Sequence, residues 1–575
     1  MHNKTGMPGS ADHSTTDLDA VVVGAGWAGL YGLHRLRKMG LAVRAYERAG
    51  GVGGTWYWNR YPGARCDVPI LNYCFSFDED LLQEWTWTER YAAQPEIERY
   101  ANYVADKFDL RKDIVFNTRV ESAAFDADTE RWIVTLDSGD QVTGKYLVMG
   151  TGGYSVPHVP DIPGFGSFEK ELYFTARWPT EPVSFAGKRV GIIGTGASGV
   201  QVISAVAQEP VSYLYVFQRT PNFLAPTHNA PLEPEFLEEF KKTYADFLRR
   251  ARASGSGTVS EGPVGAVADL SDEEFQQRMD EAWSVGGPSV LIGISDVLTN
   301  PASNERVAEY FRARVRQRVP DSNLAELLSA RGHYVGARRV VKEDGYFEIY
   351  GQPNVSLVDV RTESIIRLTA DALVTERSTY DLDMLILATG FDSGTGAMLQ
   401  VNVIGRDGVK LSDKWSSGPV TYLGLMAAGF PNLFMIAGPG SPSIRSTVIV
   451  SIEQQIEWLG ELIEHLEVSG LTTIEAGTAA EESWTRHVAE TADRTLLTHD
   501  DTQYVGSNVP GKPRVYLAYA GGVNVYERIL HDVRDRDYEG FLFRSRECDE
   551  PTGADVWSGP PRDPTLLTRW GNPVM

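Results

Sequence analysis

Two copies of one short pattern constrain this chain more than anything else in it. Each copy is an apolar run, a Gly-x-Gly-x-x-Gly loop and a helical stretch. The first reads Asp19-Ala20-Val21-Val22-Val23 into Gly24-Ala25-Gly26-Trp27-Ala28-Gly29. Leu30, Leu33 and Leu36 then fall on one helix face, Arg35, Arg37 and Lys38 on the other. Gly40 ends this helix, and Leu41–Glu47 is a second strand. The second copy runs from Lys188–Ile193 into Gly194-Thr195-Gly196-Ala197-Ser198-Gly199, a helix and the strand Tyr213–Phe217. Short continuous apolar runs read as strands buried in a parallel sheet with helices on both faces. The fold class expected is α/β, with two Rossmann-like dinucleotide-binding domains and a helical insertion.

The 575 residues leave room for more than these two lobes. Residues 1–17, rich in Gly, Ser, Thr and Asp, read as a disordered tail. The first lobe is assigned 18–155 and 385–545, the second 156–230 and 333–384. Residues 231–332 are charged, helical in pattern and broken by Ser254-Gly255-Ser256-Gly257, which has flexible-linker chemistry. Ile452–Leu466 reads as an amphipathic helix, and 546–575 as an irregular tail. A net charge of −23 argues against nucleic acid and anionic membranes as partners. No apolar run is long enough to span a bilayer, and the N-terminus lacks a signal-like apolar core. Cys66, Cys74 and Cys548 cannot build a disulfide framework or a four-cysteine metal site. The default setting is cytoplasmic, with no metal and no obligatory protein partner.

The loops carry chemistry. Gly24 allows a tight turn, Gly26 lets backbone approach a pyrophosphate, and Gly29 permits close helix–strand packing. The helix start offers free N–H groups to phosphates. Glu47, 23 residues after Gly24, stands where a carboxylate accepts both ribose hydroxyls. Gly194, Gly196 and Gly199 repeat the arrangement, with Thr195, Ala197 and Ser198 between them. The strand that follows ends on Gln218-Arg219-Thr220 and has no acid there. A guanidinium with a neighbouring hydroxyl suits a 2′-phosphate, so the second lobe favours NADP. FAD in the first lobe would take a hydride from NADPH in the second. Cys66 and Cys74 have seven residues between them, which is not disulfide-reductase spacing, so the electron acceptor left is oxygen.

The segment Gly54-Thr55-Trp56-Tyr57-Trp58-Asn59-Arg60-Tyr61-Pro62-Gly63-Ala64-Arg65-Cys66-Asp67, with Gly53, fits a long Gly-Gly-x-Trp…Tyr-Pro-Gly…Asp signature. Supporting stretches are Ala388–Asp392, Gly438–Ser443 and Asn508–Arg514. On these motifs the chain resembles the type I Baeyer–Villiger monooxygenases from Asp19 to about Phe543. It is most similar to their steroid, phenylacetone and large cyclic-ketone branch. The resemblance implies oxygen insertion beside a ketone carbonyl, through a C4a-peroxyflavin, to give an ester or lactone. Arg339 then matches the catalytic arginine and Asp67 its carboxylate partner. Arg338 matches the basic residue at the NADP phosphate. Thr55, Trp56, Tyr73 and Val120 fall at FAD-contacting positions. Arg65 and Gln201 fall near the nicotinamide nucleotide.

The chain departs from the family's Phe-x-Gly-x-x-x-His-x-x-x-Trp-Pro fingerprint, with Lys170 and Phe174 replacing the Gly and the His beside Phe168, Trp178 and Pro179. A sesquiterpenoid-lactone branch, the pentalenolactone D synthases, is similar here. Gln503 stands before Tyr504 where relatives carry Trp, keeping a ribose hydrogen bond and losing stacking area. Ile444 and Arg445 stand in a loop that borders the family's substrate pocket, and Arg445 is expected to recognise a substrate carboxylate, as in a polycyclic terpenoid keto-acid of antibiotic biosynthesis, or else to face solvent or cofactor. Two other readings remain open at this point. One is a flavin monooxygenase that oxidises nitrogen or sulfur. The other is a non-catalytic FAD-binding redox sensor.

Overall fold

The computed structural model of the chain describes residues 16–259, 265–546 and 548–560. The first apolar run forms the strand Thr16–Val23, in which Ala20, Val21 and Val22 have no exposed surface. It pairs in parallel with Val43–Tyr46 on one side and Gln141–Met149 on the other. Ile114–Val115 extends the sheet beyond Val43–Tyr46; Arg131–Leu136, Val120–Asp126 and Asn402–Ile404 extend it the other way. Leu433–Met435 also pairs with Gln141–Met149 and brings the late part of the chain back to the first lobe.

The second copy builds a five-stranded sheet in the order Val355–Asp359, Tyr213–Gln218, Arg189–Ile193, Met384–Leu387, Glu171–Phe174. Every pairing is parallel. Met384–Leu387 lies inside this sheet, fully covered on both faces, so residues 385–387 belong to the second lobe and not, as expected, to the first. A continuous apolar run suits a central strand covered on both faces, and here its edges are held by Arg189–Ile193 and Glu171–Phe174. Phe174, at the end of its edge strand, packs in the apolar cluster around Phe217 and Leu385.

Both tail boundaries also need correction. Thr16 and Asp17 pair with Val142 and Thr143, so the strand starts before Leu18; residues 1–15 lie outside the described residues. Cys548–Gly553 is a strand antiparallel to Phe541–Ser545, itself paired with Leu471–Ala476. The expected irregular tail therefore begins with sheet; residues 561–575 are not described.

The insertion holds the helices Pro234–Lys241, Tyr244–Arg252, Asp272–Val285, Pro301–Arg318 and Ser322–Leu328. Local chemistry starts several of them. Ser271 and Glu274 form a reciprocal capping box, and Asn300 and Asp321 cap the last two helices. The Ser254–Gly257 stretch is not a free linker. Ser256 O accepts from Thr447 N at 2.9 Å, Gly255 O accepts from Val523 N at 3.0 Å, and the Thr258 and Thr447 hydroxyls are 2.9 Å apart. Small residues there allow close docking on the first lobe, a use of Gly and Ser that composition alone does not separate from flexibility. The helix expected at Ile452–Leu466 spans Val448–Val468, and its burial takes in Glu453, Gln454 and Gln455, so it is a core helix more than an amphipathic one. No helix among the described residues is long and apolar enough to cross a membrane.

Candidate active site

The two glycine loops open on one cleft of about 1040 Å³. The first turn needs Gly24 at φ +100°, where a Cβ would strike the Gly150 carbonyl oxygen at 2.8 Å. The helices that follow start at Gly26 and Gly196 with no side-chain cap and no acid in the first turn. Their free N–H groups are left for an anion. Glu47 is buried at the cleft wall; Oε2 accepts from Ala25 N and Oε1 from Ala49 N, each at 2.7 Å. These bonds lock its orientation and leave further lone pairs for ribose hydroxyls.

The walls also carry polar atoms with no protein partner. Trp27 Nε1, Thr151 Oγ1, Asn222 Oδ1, Arg338 Nε and Asn508 Oδ1 are all buried and unpaired on residues that line the cleft. Buried polar groups are normally satisfied. A dinucleotide in each lobe satisfies such a set, so the residues present fit FAD in the first lobe and NADP in the second. Arg219 is exposed at the second lobe's end of the cleft, with no ion-pair partner among the described residues. Its charge and burial lower the pKa of Arg338, burial more, and Arg338 donates to Asp501 O at 3.0 Å. Two guanidiniums that act on each other, neither in an ion pair among the described residues, suit a phosphate dianion.

Arg339 and Asp67 meet at the centre. Arg339 Nη2 donates to Asp67 Oδ1 at 2.8 Å and Nε to Oδ2, a two-pronged fork. Asp67 is set by its segment: Arg65 bridges to Ala93, Cys66 N donates to Ala92 O at 3.0 Å and Ile70 N to Arg90 O at 2.8 Å. Arg339 is set by a turn at Gly336 and by the strand Val341–Glu343, which pairs with Leu224–Pro226. The 38% of the Arg339 side chain that stays accessible opens on the cleft. The Asp67 charge outweighs burial and holds the guanidinium pKa above its already high ordinary value. Arg339 is thus a permanent cation, and the Tyr154 and Tyr504 rings stand close enough to add to that shift.

Thr55, Trp56, Tyr73 and Val120 all line the cleft, and Trp56 Nε1 donates to Tyr73 Oη at 3.1 Å. Thr195, Ala197, Ser198, Thr220 and Gln503 line it too. Arg65 lines it while ion-paired to Glu89 at 2.7 Å. Gly29 and Gly199 lie beneath it, where each permits close packing: a Cβ would meet Gly24 O at 1.9 Å and Gly194 O at 2.2 Å. Gln201 is not brought to the cleft. It accepts from Tyr61 Oη at 2.8 Å and donates to Arg65 O at 3.0 Å, so it ties the second lobe's helix to the signature segment. Arg445 lies beside the cleft, between its lining residues Ser443 and Ser446; the Ile444 side chain is outside the described residues.

Other site residues were absent from the sequence reading. Tyr154 and Tyr504 flank Arg339, and only the position next to Gln503 could have flagged one of them. Lys342 donates to Gly287 O at 3.0 Å, and burial draws its pKa down to about 8 against the pull of Asp67 and with the push of Arg339. Arg48 and Arg177 both stand over the Trp58 ring, at 5.3 and 4.4 Å, and both donate to Ser155 O. Cys66 and Cys74 are both buried. Burial pushes Cys66 up to about 12, and Cys74 lies 2.7 Å from the Tyr244 hydroxyl.

Two Rossmann lobes sharing one cleft, with a fixed cation between them and no reactive thiol pair among the described residues, define a dinucleotide-dependent oxidoreductase of the flavoprotein type. The family model for pyridine nucleotide-disulphide oxidoreductases matches residues 18–255. An acetone monooxygenase (methyl acetate-forming) of Gordonia sp. (strain TY-5) is 41% identical over 92% of this chain and 99% of its own. Phenazine N-monooxygenase PhzNO1 of Lysobacter antibioticus is 40% identical over 93% of this chain and 98% of its own. The solved structure of an oxidised steroid monooxygenase bound to NADP superposes with a TM-score of 0.88 at 42% identity, covering 92% of this chain and 100% of that one. The chain belongs to the type I Baeyer–Villiger monooxygenase family.

Proposed function

We propose that Arg339, held by Asp67, is the catalytic cation of an NADPH- and FAD-dependent Baeyer–Villiger oxygenation in this protein. The balance is ketone + O2 + NADPH + H+ giving ester or lactone + NADP+ + H2O. FAD, when bound, supplies the redox chemistry that joins the hydride of NADPH to dioxygen. The chain's own part is electrostatic. As an oxygen nucleophile adds to a ketone, negative charge grows on the carbonyl oxygen; a preorganised guanidinium beside it lowers that barrier. Asp67 is the positioning residue: it fixes the plane and reach of the guanidinium without neutralising the face turned to the cleft. Tyr154 and Tyr504 hold neighbouring walls, and the glycine loops and orphaned polar atoms bind the two dinucleotides.

The single observation that carries this reading is the Asp67–Arg339 fork opening on the cleft shared by both loops. Its test is Arg339→Ala. NADPH should still bleach the flavin, while ester or lactone yield falls by about 10²-fold or more and consumed oxygen appears as peroxide. Retained ester formation overturns the assignment. Mass analysis of products from a panel of cyclic ketones reads both. We further propose that the natural ketone is a polycyclic terpenoid acid lactonised in secondary metabolism, a reading supported by the cationic Arg445 in the loop at the cleft edge.

A second reading has one observation in its favour: the relative named as a phenazine N-monooxygenase is about as similar as the ester-forming one. Nitrogen oxidation has no tetrahedral oxyanion to stabilise. N-oxide product that survives Arg339→Ala, with no ester from any ketone, would establish it.

A further inference from the structure

The Asp67–Arg339 fork has to stand in register with whatever the second glycine loop binds, and one helix reaches all three. The helix Ala197–Val206 starts at Gly196 of that loop. It packs against the strand Val341–Glu343, which begins just after Arg339. It also meets the signature segment that carries Asp67: Tyr61 and Ala64 share one apolar cluster with Val200 and Val341. Gly63 makes the approach close. It turns at φ +80°, and a Cβ there would meet the Gln201 carbonyl oxygen at 2.7 Å and the Ala205 Cβ at 3.1 Å.

Gln201 is a polar link across that contact. Its Oε1 accepts from Tyr61 Oη at 2.8 Å, and its Nε2 donates to Arg65 O at 3.0 Å. The Arg65 carbonyl can only accept, so the amide nitrogen has to face it and the orientation of the side chain is fixed. Burial holds the Tyr61 phenol well above its ordinary pKa, so it keeps the proton that it donates. The next residue, Cys66, is tied the other way, to the first lobe, where its N–H donates to Ala92 O at 3.0 Å. Arg65 and Cys66 are thus held from opposite lobes, and Asp67 follows directly on this double tether. Its carboxylate then takes Arg339 in the two-pronged fork. Gln201 itself does not line the cleft, so it acts on the site through the segment it holds.

We propose that Gln201 is a positioning residue of the oxygenation: its amide locks the Arg65 carbonyl to the second lobe's helix and so sets the Asp67–Arg339 fork relative to the nucleotide loop. This rests on the catalytic role of Arg339 given above. It also replaces the expected contact between Gln201 and the nicotinamide nucleotide with a different task. The two tasks have opposite kinetic signatures. Loss of a direct contact weakens NADPH. Loss of a tether leaves NADPH binding and flavin reduction intact and misplaces the cation, and a displacement of about 1 Å costs up to about 10²-fold in rate. The turnover that fails then follows NADPH + H+ + O2 giving NADP+ + H2O2, with the ketone untouched.

Gln201→Met keeps the length of the side chain and loses both bonds. In the FAD-loaded protein, with the cyclic ketone that wild type converts fastest, ester formed per NADPH should fall by about 10-fold or more, with peroxide making up the difference. The KM for NADPH and the rate of flavin reduction should stay nearly unmoved. Combined with Asp67→Asn, the loss should be no larger than in Asp67→Asn alone, because the tether acts through that carboxylate. Hydrogen exchange reads the segment with no reaction running: Gln201→Met should speed exchange in the peptide spanning 61–67 by about 10-fold and leave the helix peptide 200–206 unchanged. Faster exchange in a protein whose Arg339→Ala variant still makes ester would keep the tether and remove the reaction reading. A raised KM for NADPH with unchanged ester yield would make Gln201 a nucleotide contact. Flavin reduction and ester falling in step, with a lowered urea midpoint, would make it structural. Either result overturns the proposal, as do additive losses in the double variant or unchanged exchange in the peptide 61–67.

Discussion

Arg219 and Arg339 are both arginines at the cleft, yet their surroundings give them opposite duties. Arg339 is clasped by Asp67 and cannot swing toward a ligand; it offers a fixed field. Arg219 is exposed, with no ion-pair partner among the described residues, and is free to close on a phosphate. Arg219→Ala should therefore raise the KM for NADPH by about 10- to 100-fold and leave that for NADH nearly unmoved, in steady-state flavin reduction. An equal loss with both nucleotides would mean that it contacts the shared part of the molecule. Asp67→Asn tests the positioning role. The shape is kept but the charge is gone, so ester yield should fall while NADPH-driven flavin reduction persists. At this scale much was legible. Glu47 and Arg219 each follow a glycine loop at short range, so sequence order tracks distance; Asp67 and Arg339 meet across 272 residues and were indicated by the family resemblance alone. Lys342 was not legible, because its surroundings are set by residues far along the chain, Gly287 and Asp67.

The glycine loops behave as elements, and two of their glycines separate folding from binding. A Cβ at Gly196 would meet nothing within 4 Å, whereas one at Gly199 would meet the Gly194 carbonyl oxygen at 2.2 Å. Gly196→Ala should fold with near-normal stability and weaken NADPH, since its methyl group would occupy the space a pyrophosphate approaches. Gly199→Ala should force the helix off the strand and destabilise the second lobe by about 1–3 kcal/mol. Urea unfolding and NADPH titration of both variants separate the two effects. These strand–loop–helix units were readable because every interaction that defines them lies within a few residues. The Ser254–Thr258 stretch was misread for the converse reason. Its partners, Thr447 and Val523, lie far along the chain, and nothing in Ser-Gly-Ser-Gly announces them. The strand Met384–Leu387 was divided by the expected lobe boundary between 384 and 385, because an apolar run states that it is buried without stating in which sheet.

Across the whole molecule, the long core helix carries an acid into the interior. Glu453 is 3% exposed and accepts from both the backbone N–H and the hydroxyl of Ser76. Burial, partly countered by those bonds, lifts its pKa to about 7. A carboxyl raised above its ordinary value near 4.5 stabilises the fold fully below that value, and the contribution is lost as pH rises through about 7. The shift corresponds to an upper figure of about 3 kcal/mol. Glu453→Gln keeps both Ser76 contacts in shape. The variant should match wild type near pH 4 and exceed it by up to about 3 kcal/mol at pH 8, measured by urea midpoints. A gap that does not change with pH would show that Glu453 is not titrating in this window.

The two helices that begin at Gly26 and Gly196 lack any side chain to finish their first turns. Their missing ends have to come from outside the polypeptide. Whatever anion completes them favours the native state by mass action, by about 2.7 kcal/mol at a hundredfold excess over its dissociation constant. Melting temperature then becomes a gauge of saturation: freshly stripped protein should denature early, recover heat resistance as FAD is returned, and gain a further increment from NADP+ even when no ketone is in the tube.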